Sequence, residues 1–305
     1  MSIPGAGRFA PSPTSDLHLG NLRTAVLAWL FARSSGRRFL VRIEDLDTAR
    51  VRAGGDTAGR QLADLAALGL DFDGDPVWQS QRLEVYRDVI ASLPTYPCFC
   101  TRREIAEAAS APHHAAGGYR PYPGTCRNLT EAQRAERAAV RTPALRVRAQ
   151  DVSWTVRDAL AGEVTAVVDD FVVARNDGTP AYNLAVVVDD LASGVDQVVR
   201  GDDLLDSSPR QAWLAHRVGG SAPDYAHVPL ALNPSGQRLA KRDGAVCMAD
   251  LARLDVSPER ILSRIAESLA LAEPGEPVSL ELLLTRFDPA LIPRRPWLVA
   301  ADYCW

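Results

Sequence analysis

At 305 residues, with 47% hydrophobic and 24% charged side chains, the chain carries enough apolar material for one large domain or two modest ones. A net charge of −4 argues against broad, nonspecific coating of nucleic acid but leaves room for a local basic face. No basic and apolar leader opens the sequence, the apolar run 24–32 is too short to span a bilayer, and five cysteines, an odd number, suit a reducing cytoplasm.

The first stretch, Arg8-Phe-Ala-Pro-Ser-Pro-Thr-Ser-Asp-Leu-His-Leu-Gly-Asn21, reads as strand, tight turn and helix. Leu22, Ala25, Val26, Trp29 and Leu30 fall at i, i+3, i+4, i+7 and i+8, the spacing of an amphipathic helix. His18 and Gly20 stand at its mouth, where free N–H donors and the positive dipole end suit a phosphate. Gly20 has no side chain to keep a flat ring or a phosphate off the backbone. Singly, a His before a Gly is most often a turn and Pro-Ser-Pro a loop; only the whole string is specific.

Phe39, Val41 and Ile43 alternate with Leu40, Arg42 and Glu44 and predict a second strand, ending in Glu44, Asp45 and Asp47. Ligands of parallel α/β sheets sit beyond the carboxyl ends of strands, which puts Glu44 in the same crevice as His18. Asp47 reads as a solvated turn residue. Leu62, Leu65 and Ala66 mark a helix stopped by Gly69. Asp71-Phe-Asp-Gly-Asp75 lacks the later Glu of a calcium loop and precedes Pro76, so it reads as a polar turn. A further helix opens at Trp78-Gln-Ser-Gln-Arg82, runs through Val85, Val89 and Ile90, and ends at Pro94.

From Tyr96 the composition changes and an inserted module begins. Cys98, Cys100 and Cys126 lie close enough in sequence to favour zinc over a disulfide in a reducing compartment. Three thiols leave a tetrahedral ion one ligand short, and by ligand preference His113 and His114 are candidates. Leu145–Arg148 and Val152–Val156 alternate as strands, and Val164 to Asp177 reads as a hairpin with Asn176-Asp-Gly178 as its turn. Pro180 to Asp190 follows as an apolar helix, then a buried strand over Val195–Val199 ending at Arg200-Gly-Asp-Asp203. Ser208 to Val218 is helical and His227 to Leu232 a short strand. Asn233 to Gly244 forms a loop carrying Arg238-Leu-Ala-Lys-Arg242, and Pro258–Leu271 and Leu280–Phe287 close the chain as helices. No Ser-His-Asp or Cys-His arrangement is apparent.

His18-Leu-Gly-Asn21 resembles the first signature of the class I aminoacyl-tRNA synthetases, His-Ile-Gly-His, and Arg8-Phe-Ala-Pro-Ser-Pro13 narrows the likeness to the glutamyl/glutaminyl branch. Arg238-Leu-Ala-Lys-Arg242 resembles the second signature, Lys-Met-Ser-Lys-Ser, with Lys241 at the matching cation. Asn21, Arg238 and Ala240 depart from the two patterns. The resemblance covers roughly residues 7 to 250. It implies an α/β fold: a Rossmann-like catalytic domain in two parts, 1–95 and 179–247, split by a zinc-bearing α+β module over 96–178. A short helical appendage, 248–305, would stand in place of an anticodon-binding domain, which needs about a hundred residues.

The same resemblance implies a site. ATP would be held by His18, Gly20, Asn21 and Lys241, with His18 and Lys241 catalytic at the phosphates and Mg2+ accompanying the nucleotide. Arg8, Phe9, Ala10, Pro11, Ser12, Glu44, Tyr182 and Arg200 would form the amino-acid pocket. The arginine forks suit the two carboxylates of glutamate, Glu44 its ammonium group, and Tyr182 supplies a hydroxyl and a wall. A structural zinc would be held by Cys98, Cys100, Tyr122 and Cys126, because the family carries a Tyr four residues before the last Cys. The short tail makes the chain look like the short paralogues of glutamyl-tRNA synthetase. That likeness implies ATP, L-glutamate and tRNA(Asp) bearing queuosine as partners of a monomer, with adenylate formation independent of tRNA. The rival readings are a truncated glutamyl-tRNA synthetase charging tRNA(Glu), a related ligase acting on a small amine, and a non-catalytic tRNA- or nucleotide-binding protein.

Overall fold

The computed structural model describes residues 4–101, 103–105, 121–239 and 246–299. In chain order, β1 (Ala6–Phe9), α1 (Leu19–Ser34) and β2 (Arg38–Ile43) are followed by α2 (Thr48–Gly54), α3 (Thr57–Ala67) and β3 (Val77–Trp78). Then come α4 (Leu83–Ser92), β4 (Thr95–Cys98), α5 (Glu131–Val140), β5 (Ala144–Val147), β6 (Val152–Asp158), β7 (Gly162–Val168) and β8 (Val172–Ala174). The chain continues with α6 (Tyr182–Ala192), β9 (Val195–Gly201), α7 (Ser208–Arg217), β10 (Asp224–Val228) and β11 (Ala231–Leu232). It ends in α8 (Met248–Ala252), α9 (Pro258–Ser268), α10 (Leu280–Arg286) and β12 (Trp297–Leu298).

Seven of the described strands form one sheet in the order β3-β2-β1-β9-β10-β6-β7. Neighbours from β3 to β6 pair in parallel, and β7 pairs antiparallel with β6. All four residues of β1 are buried, as expected for a parallel strand covered on both faces. On β2, Phe39, Val41 and Ile43 pack with α1 in the largest apolar cluster, as the period of two predicts. The other face of β2 turns Arg42 towards α6. A second cluster joins α4, α6 and α7 on that side.

Helix α1 differs from its amphipathic expectation. Twelve of its residues are buried, Arg23 among them, because the sheet covers one side and the C-terminal helices cover the other. Phe31 meets Phe287 edge to face at 5.1 Å, beyond the end of α10. Pairing of β12 with β11 fastens the C-terminal segment to the chain just beyond β10. The C-terminal segment is thus packed into the largest apolar core.

The hairpin predicted over Val164–Asp177 is displaced. The hairpin that forms is β6–β7, paired from Val152↔Val168 to Asp158↔Gly162. Its turn is capped by Asp158, which accepts the N–H groups of Leu160 and Ala161 (2.9 and 2.8 Å), and Gly162 takes φ +78°. Asn176-Asp-Gly178 does turn the chain, but between β8 and a bridge from Ala174 to Pro180. Within the 96–178 stretch, β4, β5 and β8 form a separate antiparallel sheet, while β6 and β7 extend the main one.

Candidate active site

Strand order reverses between β1 and β9, and a cleft of about 290 Å³ opens at their carboxyl ends. This is where the topology of an open α/β sheet leaves a crevice between diverging connections. Arg8, Phe9 and Ala10 from β1, Glu44 beyond β2, Tyr182 at the start of α6 and Arg200 on β9 all line it. So do His18, Gly20 and Asn21 from the mouth of α1. Pro11 and Ser12 do not. The Pro11 carbonyl accepts the N–H of Glu44 (2.9 Å) and the Ser12 carbonyl accepts Gln61 Nε2 (3.1 Å), so their backbone fixes the loop. Lys241 and Ala240 lie outside the described residues, but their flanks reach the cleft. Arg238 and Leu239 line it, and Cys247 bridges backbone to backbone with His18.

His18 caps α1 in a specific protonation state. Its Nδ1 accepts the N–H groups of Gly20 (3.1 Å) and Asn21 (3.3 Å), while Asn21 Oδ1 accepts the N–H of His18 (3.1 Å). An Nδ1 that accepts carries no proton, so the ring is neutral and its hydrogen sits on Nε2. Burial favours the same state by lowering the His18 pKa. Asn21, which departs from the signature, thus closes the capping box. A β-carbon at Gly20 would lie 3.0 Å from His18 Cε1 and 3.1 Å from Ala231 Cβ, so glycine keeps this rim thin.

The end of the cleft lined by Arg8 and Glu44 rests on a buried charge lattice whose inner members sequence reasoning missed. Arg8 Nε donates to Asp190 Oδ1 (3.3 Å) and Arg42 Nη1 to the same oxygen (2.5 Å), while Arg42 Nη2 donates to Glu44 Oε1 (3.1 Å). Behind them Asp189, with no exposed side chain, accepts from Gln79, Arg82 and Tyr86. Burial alone would raise the Asp190 carboxyl, but Arg42 and Arg8 outweigh it and hold its pKa below the ordinary value. At Glu44 burial wins over Arg42 and Arg8, and its pKa lies above the ordinary value. Arg200 is held from behind by Ser208, His227 and Asp158, a Ser-His-Asp array that the sequence reading did not find.

A second cluster sits in the inserted stretch. Cys100 Sγ lies 3.6 Å from Cys126 Sγ, and Tyr122 Oη lies 3.4 Å from Cys98 Sγ and 3.7 Å from Cys100 Sγ. The three sulfurs all fall within 4.8 Å of one another. A tetrahedral zinc with Zn–S near 2.3 Å and Zn–O near 2.0 Å needs S···S of about 3.8 Å and S···O of about 3.5 Å. The donor set fits that geometry. His113 and His114 lie outside the described residues.

Residues 6–273 match the catalytic-domain family described as tRNA synthetases class I (E and Q). The glutamyl-Q tRNA(Asp) synthetase of Nocardia farcinica is 59% identical over 98% of this chain and 94% of its own. A glutamate–tRNA ligase of a Synechococcus strain is 42% identical over 92% of this chain but only 60% of its own. Among solved structures, a glutamate tRNA ligase from Elizabethkingia meningosepticum, in complex with its amino acid, superposes with a TM-score of 0.78 at 26% identity. That likeness covers 98% of this chain and 68% of the other. The chain therefore belongs to the class I tRNA synthetases of the E and Q type, a family of ligases, among relatives named glutamyl-Q tRNA(Asp) synthetase.

Proposed function

We propose that this protein activates L-glutamate with ATP in the absence of tRNA and then transfers the glutamyl group to queuosine in the anticodon of tRNA(Asp). The observation that carries the reading is the convergence of Arg8, Arg200 and Glu44 on the same cleft as the His18-capped helix mouth. Two guanidinium groups and one carboxylate match in charge the two carboxylates and one ammonium group of glutamate. In the first step a glutamate carboxylate oxygen bonds to the α-phosphorus as the bond to the leaving pyrophosphate breaks. Charge gathers on phosphoryl oxygens, so the site must supply donors and cations rather than a nucleophile. His18 Nε2–H and Lys241 are the groups we assign there, with Gly20 and Asn21 beside the nucleotide and Mg2+ entering with ATP. In the second step a diol oxygen of queuosine takes the glutamyl group, giving up its proton, and AMP leaves.

Higher identity to the Nocardia relative (59%) than to the Synechococcus ligase (42%) favours the queuosine acceptor over the 3′ end of tRNA(Glu). Glutamate-dependent ATP–pyrophosphate exchange without tRNA tests the first step, with aspartate and glutamine as controls. Labelling of queuosine-containing but not queuosine-free tRNA(Asp) tests the second, and equal labelling of both would overturn it. We assign Zn2+ to Cys98, Cys100, Tyr122 and Cys126 as a structural ion. As functional units we divide the chain at 95, 178 and 247, the β6–β7 hairpin being shared with the main sheet. No described helix is long and apolar enough to cross a membrane. A cytoplasmic monomer is part of the proposal.

Two tests separate binding from folding. Asparagine is itself a good N-cap, so His18→Asn is expected to keep the melting temperature while slowing exchange about 10- to 100-fold through loss of the Nε2 donor. The raised Glu44 pKa also has a sign. Binding an ammonium group needs the carboxylate, so glutamate affinity is full above the free-protein pKa and falls as pH drops through it. The loss begins at a higher pH than for an ordinary Glu, and glutamate KM against pH, flattened in Glu44→Gln, checks it.

A further inference from the structure

Arg200 enters the cleft with its donors already committed on the far side. Nε donates to His227 Nε2 (3.0 Å), and Nη2 to Ser208 Oγ (3.0 Å) and the Leu204 carbonyl (3.4 Å). Nη1 has no protein partner among the described residues. Its guanidinium also lies 5.7 Å from the ring centre of Tyr225, which stacks on His227 at 5.8 Å. Behind His227, Asp158 Oδ2 stands 2.6 Å from Nδ1 and accepts the backbone N–H of His227 (3.0 Å). Asp158 Oδ1 accepts the N–H groups of Leu160 and Ala161. The side chains of Asp158 and His227 have no exposure.

Those contacts fix a tautomer. The Asp158 carboxylate can only accept, so the proton of a neutral His227 sits on Nδ1 and Nε2 is left as an acceptor. Only that form can receive Arg200 Nε–H; a proton on Nε2 would set donor against donor. Ser208 completes the array at 3.2 Å from Nε2 but is fully buried and already accepts from Arg200, so it is no nucleophile. We propose that Asp158 and His227 are positioning residues that lock the roll of the Arg200 guanidinium, so that Nη1 alone faces a carboxylate of the amino-acid substrate. The proposal rests on the reading that Arg200 binds that substrate. It also gives the β6–β7 hairpin a purpose at the sheet edge, since its turn carries Asp158 to β10.

The test uses ATP–pyrophosphate exchange with the full chain, reading KM for glutamate and for ATP. Asparagine at 227 can still meet Asp158 but is too short for Arg200, whereas glutamine reaches Arg200 with its amide oxygen. His227→Asn is expected to raise glutamate KM about 10- to 100-fold, the effect of losing a hydrogen bond to a charged group, with ATP KM changed less than about twofold. His227→Gln is expected to stay within about fivefold of the parent. In an Arg200→Ala background, His227→Asn should add less than about twofold, since it acts through Arg200. Equal effects of Asn and Gln, a parallel rise in ATP KM, or a full effect of His227→Asn without Arg200 would overturn the proposal. If His227→Asn does not fold, a more than tenfold rise in glutamate KM for a folded His227→Gln overturns it as well. Arg200→Ala with unchanged glutamate KM would instead overturn the underlying reading.

Discussion

Asp190→Ala is expected to cost about 3–5 kcal/mol of folding stability, because it strands two buried guanidinium groups on one missing carboxylate. Arg8 and Arg42 are 4% and 3% exposed and share Asp190 Oδ1. Without it Arg42 keeps Glu44 and a long contact to Asp189 (3.8 Å), while Arg8 keeps only the Val199 carbonyl (3.4 Å) among its described partners. Asp190→Asn keeps shape and one acceptor, so about 1–3 kcal/mol is expected there. The pH sign follows from the depressed Asp190 pKa. A carboxylate whose folded pKa lies below its unfolded value, about 3.9, contributes stability in full above that value and loses it as pH falls through the folded one. The urea midpoints of parent and Asp190→Ala should therefore differ most at neutral pH and converge below about pH 4. Equal midpoints at pH 7 would show that the lattice carries no stability. Glutamate KM should rise in the same variant, since Arg8 loses the contact that aims it.

The outline of the cleft is legible in the sequence because its parts are local. A strand, two prolines and a helix mouth place Arg8, His18 and Gly20 within a short stretch, and the alternation of β2 delivers Glu44 to the strand end. What holds those residues is not local. Arg42 looks like the polar half of an alternating strand, yet it is buried because α6 covers that face and supplies Asp189 and Asp190 from about 150 residues away. The same holds for Asp158, which pairs with His227 across 69 residues of chain. Its only local signal is the run Asp158-Ala-Leu-Ala-Gly162 between two alternating stretches, a turn that Asn176-Asp-Gly178 outshone on turn chemistry alone. Asn21 shows the converse case. As a motif position it is a departure, but asparagine at the third helical position supplies the side-chain acceptor that the N-cap N–H needs.

Cys98→Ser, or chelation of the native protein, is expected to remove one zinc per chain and unfold the small module while leaving ATP binding within about twofold of the parent. The packing says why. The local apolar cluster is Tyr96, Cys98, Phe99, Tyr122 and Cys126, so three of its five buried members are themselves the donor groups. Tyr96 and Phe99, with the half-buried Ile105 and Leu129 packed against them, are too few to offset the entropy of ordering the chain around them, about 1–2 kcal/mol per residue. The ion would supply what the apolar core lacks, since structural zinc in small domains is worth on the order of 10 kcal/mol at neutral pH. Some order survives without it: Arg127 and Tyr96 meet Asp170, and Arg146 stacks 3.7 Å over the Tyr122 ring. The expected result is therefore local, with fast hydrogen exchange in β4 and β5 and unchanged protection in β1, α1 and β9. Tyr122→Phe refines the assignment, because it removes the fourth donor but not the ring under Arg146. Zinc affinity should fall steeply in that variant, whereas stoichiometric zinc held at the parent affinity would hand the fourth position to another residue. A Cys98→Ser protein with full zinc and unchanged exchange would remove the ion from the architecture altogether.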